Sequence, residues 1–449
     1  MANGFQMSDQ TGGASKHAGS AGAPHQAGPA GSQAAGNTGT SAYDVLVDRG
    51  FVSQVTDEAV VREMLERTTC SFYCGFDPTG RSLHVGHMVP LYAMAHLSRA
   101  GHKAIALVGG ATAQIGDPSG KTEMRRMLDT DEIDSNAEAM GGQIRSFLRT
   151  VHADAQVVNN AQWLRGLNYI EFLRDIGKHF SVNRMLSFET YKMRLETGLS
   201  FIEFNYQLLQ SYDYLSLHRD YGVDLQLGGD DQWGNIVAGI DLIRRVEGDD
   251  VQGITFPLVT RADGRKMGKS EQGAMFLDPE LCTPYDFFQY WRNVPDPDVA
   301  RFLKLYTFLP LEEITELTSV SGSALNTAKE RLAWEVTTIA HGGDEADRAL
   351  SAARAAFGGA GSDSSREGVP ATDMDRKTLE EGIGVVDLFV ETGLSASKGE
   401  ARRLIRQGGA YINGEKVSAE EVVVTGDMVE NGEILLRAGK KRFHRVLPS

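Results

Sequence analysis

The sequence predicts an α/β fold: a doubly wound, Rossmann-like parallel sheet, followed by a helical domain and a small α+β domain. Strand-like and helix-like patterns alternate from residue 43 to about residue 258. Within that stretch, residues 104–109 and 223–227 are short apolar runs beside glycine, which is typical of strands buried on both faces. Beyond residue 283 the apolar spacing becomes helical. Ligands of such a sheet bind at the carboxyl ends of its strands.

Composition divides the chain into parts. Residues 1–41 are rich in Gly, Ala and Ser, hold one Lys and no Arg, and therefore predict a disordered tail and no transit peptide. Near the other end, Asn413 and Gly414 between two apolar stretches predict a tight hairpin. The predicted parts are the tail 1–41, the sheet domain 42–258 with a helical insertion at about 146–199, a mobile loop 259–282, a helical domain 283–357, a linker 358–381 and an α+β domain 382–449.

Overall composition restricts the class of protein. The chain has 449 residues, of which 41% are hydrophobic and 23% charged, as in ordinary globular proteins. Its formal charge of −15 argues against a general nucleic-acid coating protein. The three cysteines predict no disulfide framework and a reducing, cytoplasmic location. Because apolar runs stay well short of the ~20 residues of a membrane span, we expect no membrane association.

The first candidate site residues lie around a predicted helix start. A strand at residues 72–76 and a turn at 77–80 precede His84, Gly86 and His87, which open a helical pattern that runs to about residue 99. Unpaired N–H groups and the helix dipole favour an anion there, and the Thr79 hydroxyl adds a donor. The arrangement suits a triphosphate. The alternative is that both histidines are merely capping or core groups.

The second candidate is a charged, Gly-rich stretch at residues 261–273 that carries Lys266 and Lys269. A mobile loop with two ammonium groups can meet the negative charge that develops on a leaving pyrophosphate. The alternative is that both lysines are solvated loop charges.

The third candidate is a helix face that carries Tyr206, Gln210 and Asp213 at positions i, i+4 and i+7. The face spans ~10 Å, roughly the reach of a tyrosine lying along the helix. The alternative is the wet side of an amphipathic helix whose leucines face the core.

A zinc site is not expected, although Cys70, Cys74, His84 and His87 are near one another in sequence. Two cysteines four apart on one strand are ~13 Å apart. Thiolates that share a zinc ion are at most ~4.6 Å apart. We therefore predict no metal ligands among these residues.

Six motifs, taken together and in this order, resemble the bacterial tyrosyl-tRNA synthetase family, a class I aminoacyl-tRNA synthetase family. The resemblance covers residues 43–449, and the C-terminal part resembles an RNA-binding module shared with a ribosomal protein. The motifs are Tyr73-Cys74-Gly75-Phe76-Asp77-Pro78-Thr79, Ser82-Leu83-His84-Val85-Gly86-His87, the segment from Gly109 to Lys121, Tyr206 to Asp213, Gln226 to Asn235, and Lys266-Met267-Gly268-Lys269-Ser270.

The resemblance implies a role for each matching residue. Tyr73 and Asp213 would bind the phenolic hydroxyl of L-tyrosine, Asp117, Tyr206 and Gln210 its ammonium, and Gln232 its carboxylate. For ATP, Asp231 would bind the ribose, Gly75, Asp77 and Gly86 would line the site, and Thr79, His84, His87, Lys266, Lys269 and Ser270 would act on the phosphates.

The resemblance also implies partners. ATP would be a substrate accompanied by Mg²⁺, with no tightly bound cofactor, and tRNA(Tyr) would be charged by a homodimer joined through the inserted segment. The helical domain would lie on the anticodon side of the tRNA. Val85 for Ile and Gly268 for Ser depart from the usual signatures, and Gly268 is expected to loosen the loop without removing a cation.

Two alternatives remain at this point. A tryptophan-charging relative shares the fold and both loops, but an indole offers only an N–H donor. A non-catalytic RNA-binding protein would not need Thr79, His84 or the two lysines. For the tRNA, Lys398, Arg402 and Arg406 form a predicted basic stripe on one helix face, with a merely solvated face as the alternative.

Overall fold

The computed structural model describes residues 41–119, 128–262, 264, 267–270, 273–358, 368–439 and 442–449. The predicted tail up to residue 40 lies outside the described residues. The strands are β1 Gln54–Val55, β2 Ser71–Phe76, β3 Lys103–Val108, β4 Ala155–Asn159, β5 Val223–Gly229, β6 Gln252–Phe256, β7 Lys269–Ser270, β8 Gly273–Ala274, β9 Ala371–Met374, β10 Ile383–Gly384, β11 Ala410–Ile412, β12 Glu415–Lys416, β13 Val423–Val424, β14 Ile434–Ala438 and β15 Arg442–Pro448.

The α-helices begin with α1 Ala42–Arg49, which Ser41 caps by accepting a hydrogen bond from the Asp44 N–H. The others are α2 Glu58–Arg67, α3 Met88–Arg99, α4 Thr130–Thr150, α5 Ala161–Leu164, α6 Tyr169–Asp175, α7 Val182–Met185, α8 Glu189–Thr197, α9 Phe201–Phe204, α10 Tyr206–Tyr221, α11 Trp233–Val246, α12 Pro284–Arg292, α13 Val299–Tyr306, α14 Leu311–Leu317, α15 Asn326–His341, α16 Gly343–Gly358, α17 Arg376–Glu381, α18 Val385–Glu391 and α19 Lys398–Arg406.

The predicted doubly wound sheet is confirmed. Six strands pair in the order β1-β6-β5-β2-β3-β4, and all neighbours are parallel except β1 with β6. Alternate residues of β2 face opposite sides of the sheet: Phe72, Cys74 and Phe76 join one apolar core, and Tyr73 joins the other. This alternation directs Tyr73 towards α10, where the centroid of its ring lies 5.3 Å from the centroid of the Tyr214 ring.

The predicted start of the helical insertion is too early. Residues 146–150 belong to α4, and β4 then pairs with β3 as the edge strand of the sheet, so the inserted helices begin only at Ala161. The strand escaped the sequence analysis because Val158 is its one buried residue, and an edge strand lacks the continuous apolar run of a central one.

The predicted linker is too long. Strand β9 pairs with β15 in a five-stranded sheet of order β12-β11-β14-β15-β9, so residues 371–381 belong to the C-terminal domain. The predicted hairpin is confirmed: Asn413 and Gly414, both with positive φ, connect β11 and β12. Across the described ranges, we find no helix with the length and apolar character that crossing a membrane requires.

Candidate active site

A cleft of about 820 Å³ opens at the carboxyl ends of the parallel strands, where this topology places ligand sites. Asp77 follows β2, Asn160 follows β4, Asp231 follows β5 and Leu258 follows β6, and all four line the cleft. Residues at the ends of four strands therefore converge on one cleft although they are distant in sequence.

The structure brings most of the predicted site residues together. Lys266 lies outside the described residues, and only the main chain of Lys269 and Ser270 is described. The predicted residues that line the cleft are Tyr73, Gly75, Asp77, Thr79, His84, Gly86, His87, Asp117, Tyr206, Gln210, Asp213, Asp231 and Gln232.

Asp213 is the most deeply held carboxylate of the cleft, with 2% of its surface exposed. Its two oxygens accept hydrogen bonds from Asn160 Nδ2 at 2.9 Å and from Trp163 Nε1 at 2.7 Å. Burial raises the pKa of Asp213 to about 7, against the opposing effect of these two donors. The wet-face alternative for this helix is therefore wrong at Asp213.

Two polar atoms beside Asp213 have no hydrogen-bond partner within the described part of the chain: the hydroxyl of Tyr73 and Oε1 of Gln210. Burial, and then the charge of Asp213, raise the pKa of Tyr73 well above its ordinary value, so its hydroxyl stays protonated and can donate. Buried polar groups without partners are costly, which makes them ready sites for a polar ligand.

A network of side chains connects the base of the cleft to its strand ends. Tyr206 donates its hydroxyl to Asp77 at 2.9 Å, and Thr112 donates to the other oxygen of Asp77 at 3.0 Å. Asn160 completes the network because its Nδ2 donates to Thr112 as well as to Asp213. The Tyr206 hydroxyl is thus already committed to Asp77.

A second network holds the middle of the cleft. Gln232 donates from Nε2 to Asp117 at 2.7 Å, and Asn235 donates from Nδ2 to Oε1 of Gln232 at 3.0 Å. Burial, and then the charge of Asp117, raise the pKa of Asp231. This part of the cleft is rich in carboxylates and therefore favours a cationic group.

His84 and His87 occupy the start of α3, where the capping alternative is confirmed and the role towards phosphates stays a prediction. They form a reciprocal cap: Nδ1 of His84 accepts from the Gly86 N–H at 3.0 Å, and Nδ1 of His87 accepts from the His84 N–H at 3.1 Å. Because both Nδ1 atoms accept, the ring protons of the neutral imidazoles lie on Nε2, where they can donate to an anion. A Cβ on Gly86 would come within 2.7 Å of the His84 ring, so the close approach that Gly86 permits is to His84 itself.

Four residues that shape the cleft were not predicted from the sequence. Asn160 and Trp163 hold Asp213, Asn235 holds Gln232, and Leu258 lines the cleft. Leu258 is 59% exposed although apolar, and so offers a hydrophobic surface for a flat ring. Recognition of β4 would have drawn attention to Asn160, since it follows the end of that strand.

The predicted tRNA-binding residues lie far from the cleft in sequence, on α19. Their charges have intramolecular partners: Lys398 pairs with Asp387 at 2.5 Å, and Arg402 and Arg406 both pair with Glu420, at 3.4 and 2.6 Å. All three cations remain exposed, and exposed ion pairs contribute little energy, so a phosphate can compete for them.

Comparison with known proteins identifies the family. The profile described as tRNA synthetases class I (W and Y) matches residues 65–358, and that of the tyrosine–tRNA ligase SYY-like C-terminal domain matches residues 363–446. The chain is 56% identical over 407 residues to a tyrosine–tRNA ligase of Treponema denticola, which covers 90% of this chain and 99% of the relative.

Two further comparisons indicate the same family. A tyrosine–tRNA ligase of Acetivibrio thermocellus is 51% identical over 407 residues, covering 91% of this chain and 99% of the relative. The C-terminally truncated mitochondrial tyrosyl-tRNA synthetase of Aspergillus nidulans superposes with a TM-score of 0.66 at 28% identity, covering 72% of this chain and 95% of that one. The chain therefore belongs to the tyrosine–tRNA ligases, a family of class I aminoacyl-tRNA synthetases.

Proposed function

We propose that the enzyme joins L-tyrosine to tRNA(Tyr) in two steps. The tyrosine carboxylate attacks the α-phosphate of ATP, giving tyrosyl-adenylate and pyrophosphate. The 3′-terminal ribose hydroxyl of the tRNA then attacks the tyrosyl carbonyl and releases AMP. Family membership supports the overall reaction, and the polar lining of the cleft supports the binding of tyrosine and ATP.

The buried pair Tyr73 and Asp213 carries the proposal. A phenol donates one hydrogen bond and accepts another. This pair supplies an acceptor at Asp213 and a donor at the Tyr73 hydroxyl, which has no hydrogen-bond partner among the described residues. An indole can use only the acceptor. Tryptophan would leave the Tyr73 hydroxyl buried without a partner, at a cost of ~1–3 kcal/mol.

The charges of the cleft orient the two substrates. Asp117 suits the tyrosine ammonium in the middle, Asp231 suits the ATP ribose, and Leu258 suits the adenine ring. The Nε2 donors of His84 and His87 suit the phosphates. ATP would enter with Mg²⁺ as part of the substrate.

Catalysis would rest on positioning and on charge stabilisation. Cys74 is the one thiol among the described residues of the lining, and burial raises its pKa to about 12, so it is protonated at neutral pH. We therefore propose that the tyrosyl group passes directly from the adenylate to the tRNA without a covalent enzyme intermediate.

Tyrosine-dependent exchange of pyrophosphate into ATP tests the first step, with tryptophan and phenylalanine as controls. Charging of tRNA(Tyr) with labelled tyrosine tests the second. Exchange supported equally well by tryptophan would contradict the proposed role of the Tyr73 and Asp213 pair.

We also propose a cytoplasmic homodimer that associates through the inserted helices and the adjoining α9. Ile170 on α6 and Phe201 on α9 are each 71% exposed, and Tyr169 is 56% exposed. Exposed apolar groups of this size on one segment are typical of an interface. The double substitution Ile170→Glu and Phe201→Glu should reduce the mass measured by light scattering to that of one chain, whereas a monomeric wild-type enzyme would contradict the proposal.

A further inference from the structure

Main-chain hydrogen bonds join the two signature segments of the predicted ATP site, which are residues 82–87 and the described residues 267–270. The connection runs through residues 275–277. The Val85 N–H donates to Met275 O at 2.9 Å, and the Leu277 N–H donates to Leu83 O at 2.9 Å. The Met275 N–H in turn donates to Gly268 O at 2.8 Å. These bonds place Gly268 directly against the turn that opens α3.

Gly268 is buried there in a left-handed conformation, with a φ of 84°. A Cβ at this position would lie 3.2 Å from the Gly86 nitrogen and would face the backbone strain of positive φ as well. The prediction that Gly268 loosens the loop does not describe this arrangement: here the glycine permits a close main-chain packing that a serine would strain.

Tyr290 on α12 fixes the same peptide from the other side. Its hydroxyl accepts from the Gly268 N–H at 2.9 Å and donates to Met267 Sδ at 3.1 Å. The side chain is 8% exposed, and α12 packs against α15 and α16 of the helical domain. The anchor of the signature segment is therefore part of a rigid element outside the cleft.

We propose that Tyr290 is a positioning residue for adenylate formation. Its hydroxyl holds the Gly268 peptide against Gly86, and so sets where the chain delivers Lys269, the next residue. Tyr290 does not line the cleft within the described residues, and its hydroxyl is connected to the cleft through Gly268 and through Met267, which does line it. The inference rests on the proposed function, because it concerns the step in which ATP reacts with tyrosine.

The substitution Tyr290→Phe tests the inference, because it removes the hydroxyl and keeps the ring. The net free energy of one such hydrogen bond, if it is lost from the transition state, corresponds to a ~2- to 12-fold loss in rate. We expect that loss in the pre-steady-state rate of adenylate formation, with the tyrosine dissociation constant unchanged. Tyr92→Phe is the matched control: Tyr92 is fully buried on α3, and its hydroxyl has no hydrogen-bond partner among the described residues.

A second variant, Gly268→Ser, strains the same peptide directly. It should also slow adenylate formation, and the double variant with Tyr290→Phe should lose less than the product of the two single effects, because both act at one main-chain position.

Three results would overturn the inference: a Tyr290→Phe rate equal to wild type, an equal loss in Tyr92→Phe, or a parallel loss of tyrosine affinity. The wild-type enzyme serves as the reference for the proposed function itself. If it lacks tyrosine-dependent exchange, the proposed function fails, whereas normal wild-type exchange with an unaffected Tyr290→Phe overturns only the role of Tyr290.

Discussion

Asp213 illustrates how one buried residue couples stability to pH. Its pKa of about 7 lies above the ~3.9 of an aspartate in an unfolded chain. Between these two values the folded protein binds a proton that the unfolded chain has lost. The free energy of unfolding therefore falls as the pH rises from about 4 to about 7, and this contribution is constant above that range.

Asp213→Asn should remove this dependence, because a carboxamide does not ionise. We expect the free energy of unfolding of wild type, relative to the variant, to fall by on the order of 4 kcal/mol at most across that window. Urea unfolding at a series of pH values measures the difference. Parallel curves for the two proteins would show that Asp213 titrates normally.

Asp213→Ala should erode the preference for tyrosine over phenylalanine. The variant retains Tyr73 as a donor but loses the acceptor of the phenolic proton, so we expect the ratio of kcat/KM values to fall by ~5- to 150-fold. ATP binding should change little. Pyrophosphate exchange with each amino acid gives the ratio, and an unchanged ratio would mean that Asp213 does not recognise the hydroxyl.

The sequence predicted most of the polar side chains that line the cleft. It did not predict the other side chains that hydrogen-bond to them and hold them in place. Tyr206, Gln210 and Asp213 follow from helical spacing together with the family resemblance. Trp163 and Asn235 do not, because a donor to a buried carboxylate carries no sequence pattern of its own. Which donor reaches a given buried carboxylate depends on how separate elements of the fold pack together.

At the scale of elements, strand β7 begins at Lys269, directly after the Gly268 peptide that Tyr290 anchors. Lys269→Ala should slow adenylate formation by ~10²–10³, the usual effect of removing one group that stabilises developing charge. Tyrosine affinity of the free enzyme should be retained. Single-turnover adenylate formation with titrated tyrosine separates the two effects, and a rate close to wild type would exclude Lys269 from the phosphate site.

Some strands could be predicted from the sequence and others could not. Strands β3 and β5 were recognisable because both faces are buried and the apolar run is continuous. Strands β4 and β9 were not, because each is an edge strand with a single buried residue, Val158 or Met374. Edge strands take their register from a neighbour, which local sequence does not encode.

For the whole molecule, the question is how a chain of net charge −15 binds an anionic tRNA. The ion pairs on α19 indicate that Glu420 reduces the positive charge of this surface, because its single carboxylate pairs with both Arg402 and Arg406. Glu420→Gln should therefore tighten tRNA binding, and replacing both arginines with glutamine should weaken it. Each arginine that binds a phosphate should, when replaced, lower the salt slope of binding by ~1.

Filter binding of tRNA(Tyr) across a salt series measures these effects, and pyrophosphate exchange is the control that should not change. Intact variants are preferable to truncation of the domain, because Phe443 packs into the main apolar core. Equal affinities for all variants would place the tRNA elsewhere.

The pairing of residues 83–85 with residues 275–277 has a consequence for synthesis on the ribosome. Val85 and its partner Met275 are about 190 residues apart in the chain, so the phosphate end of the cleft cannot assemble until the second segment emerges. At ~5–20 residues per second, that delay lasts on the order of 10–40 s. A nascent or prematurely terminated chain that ends between Phe256 and Met275 contains every strand of the six-stranded sheet but has no complete ATP site. Under the proposed function, unfinished copies of the enzyme would therefore consume no ATP.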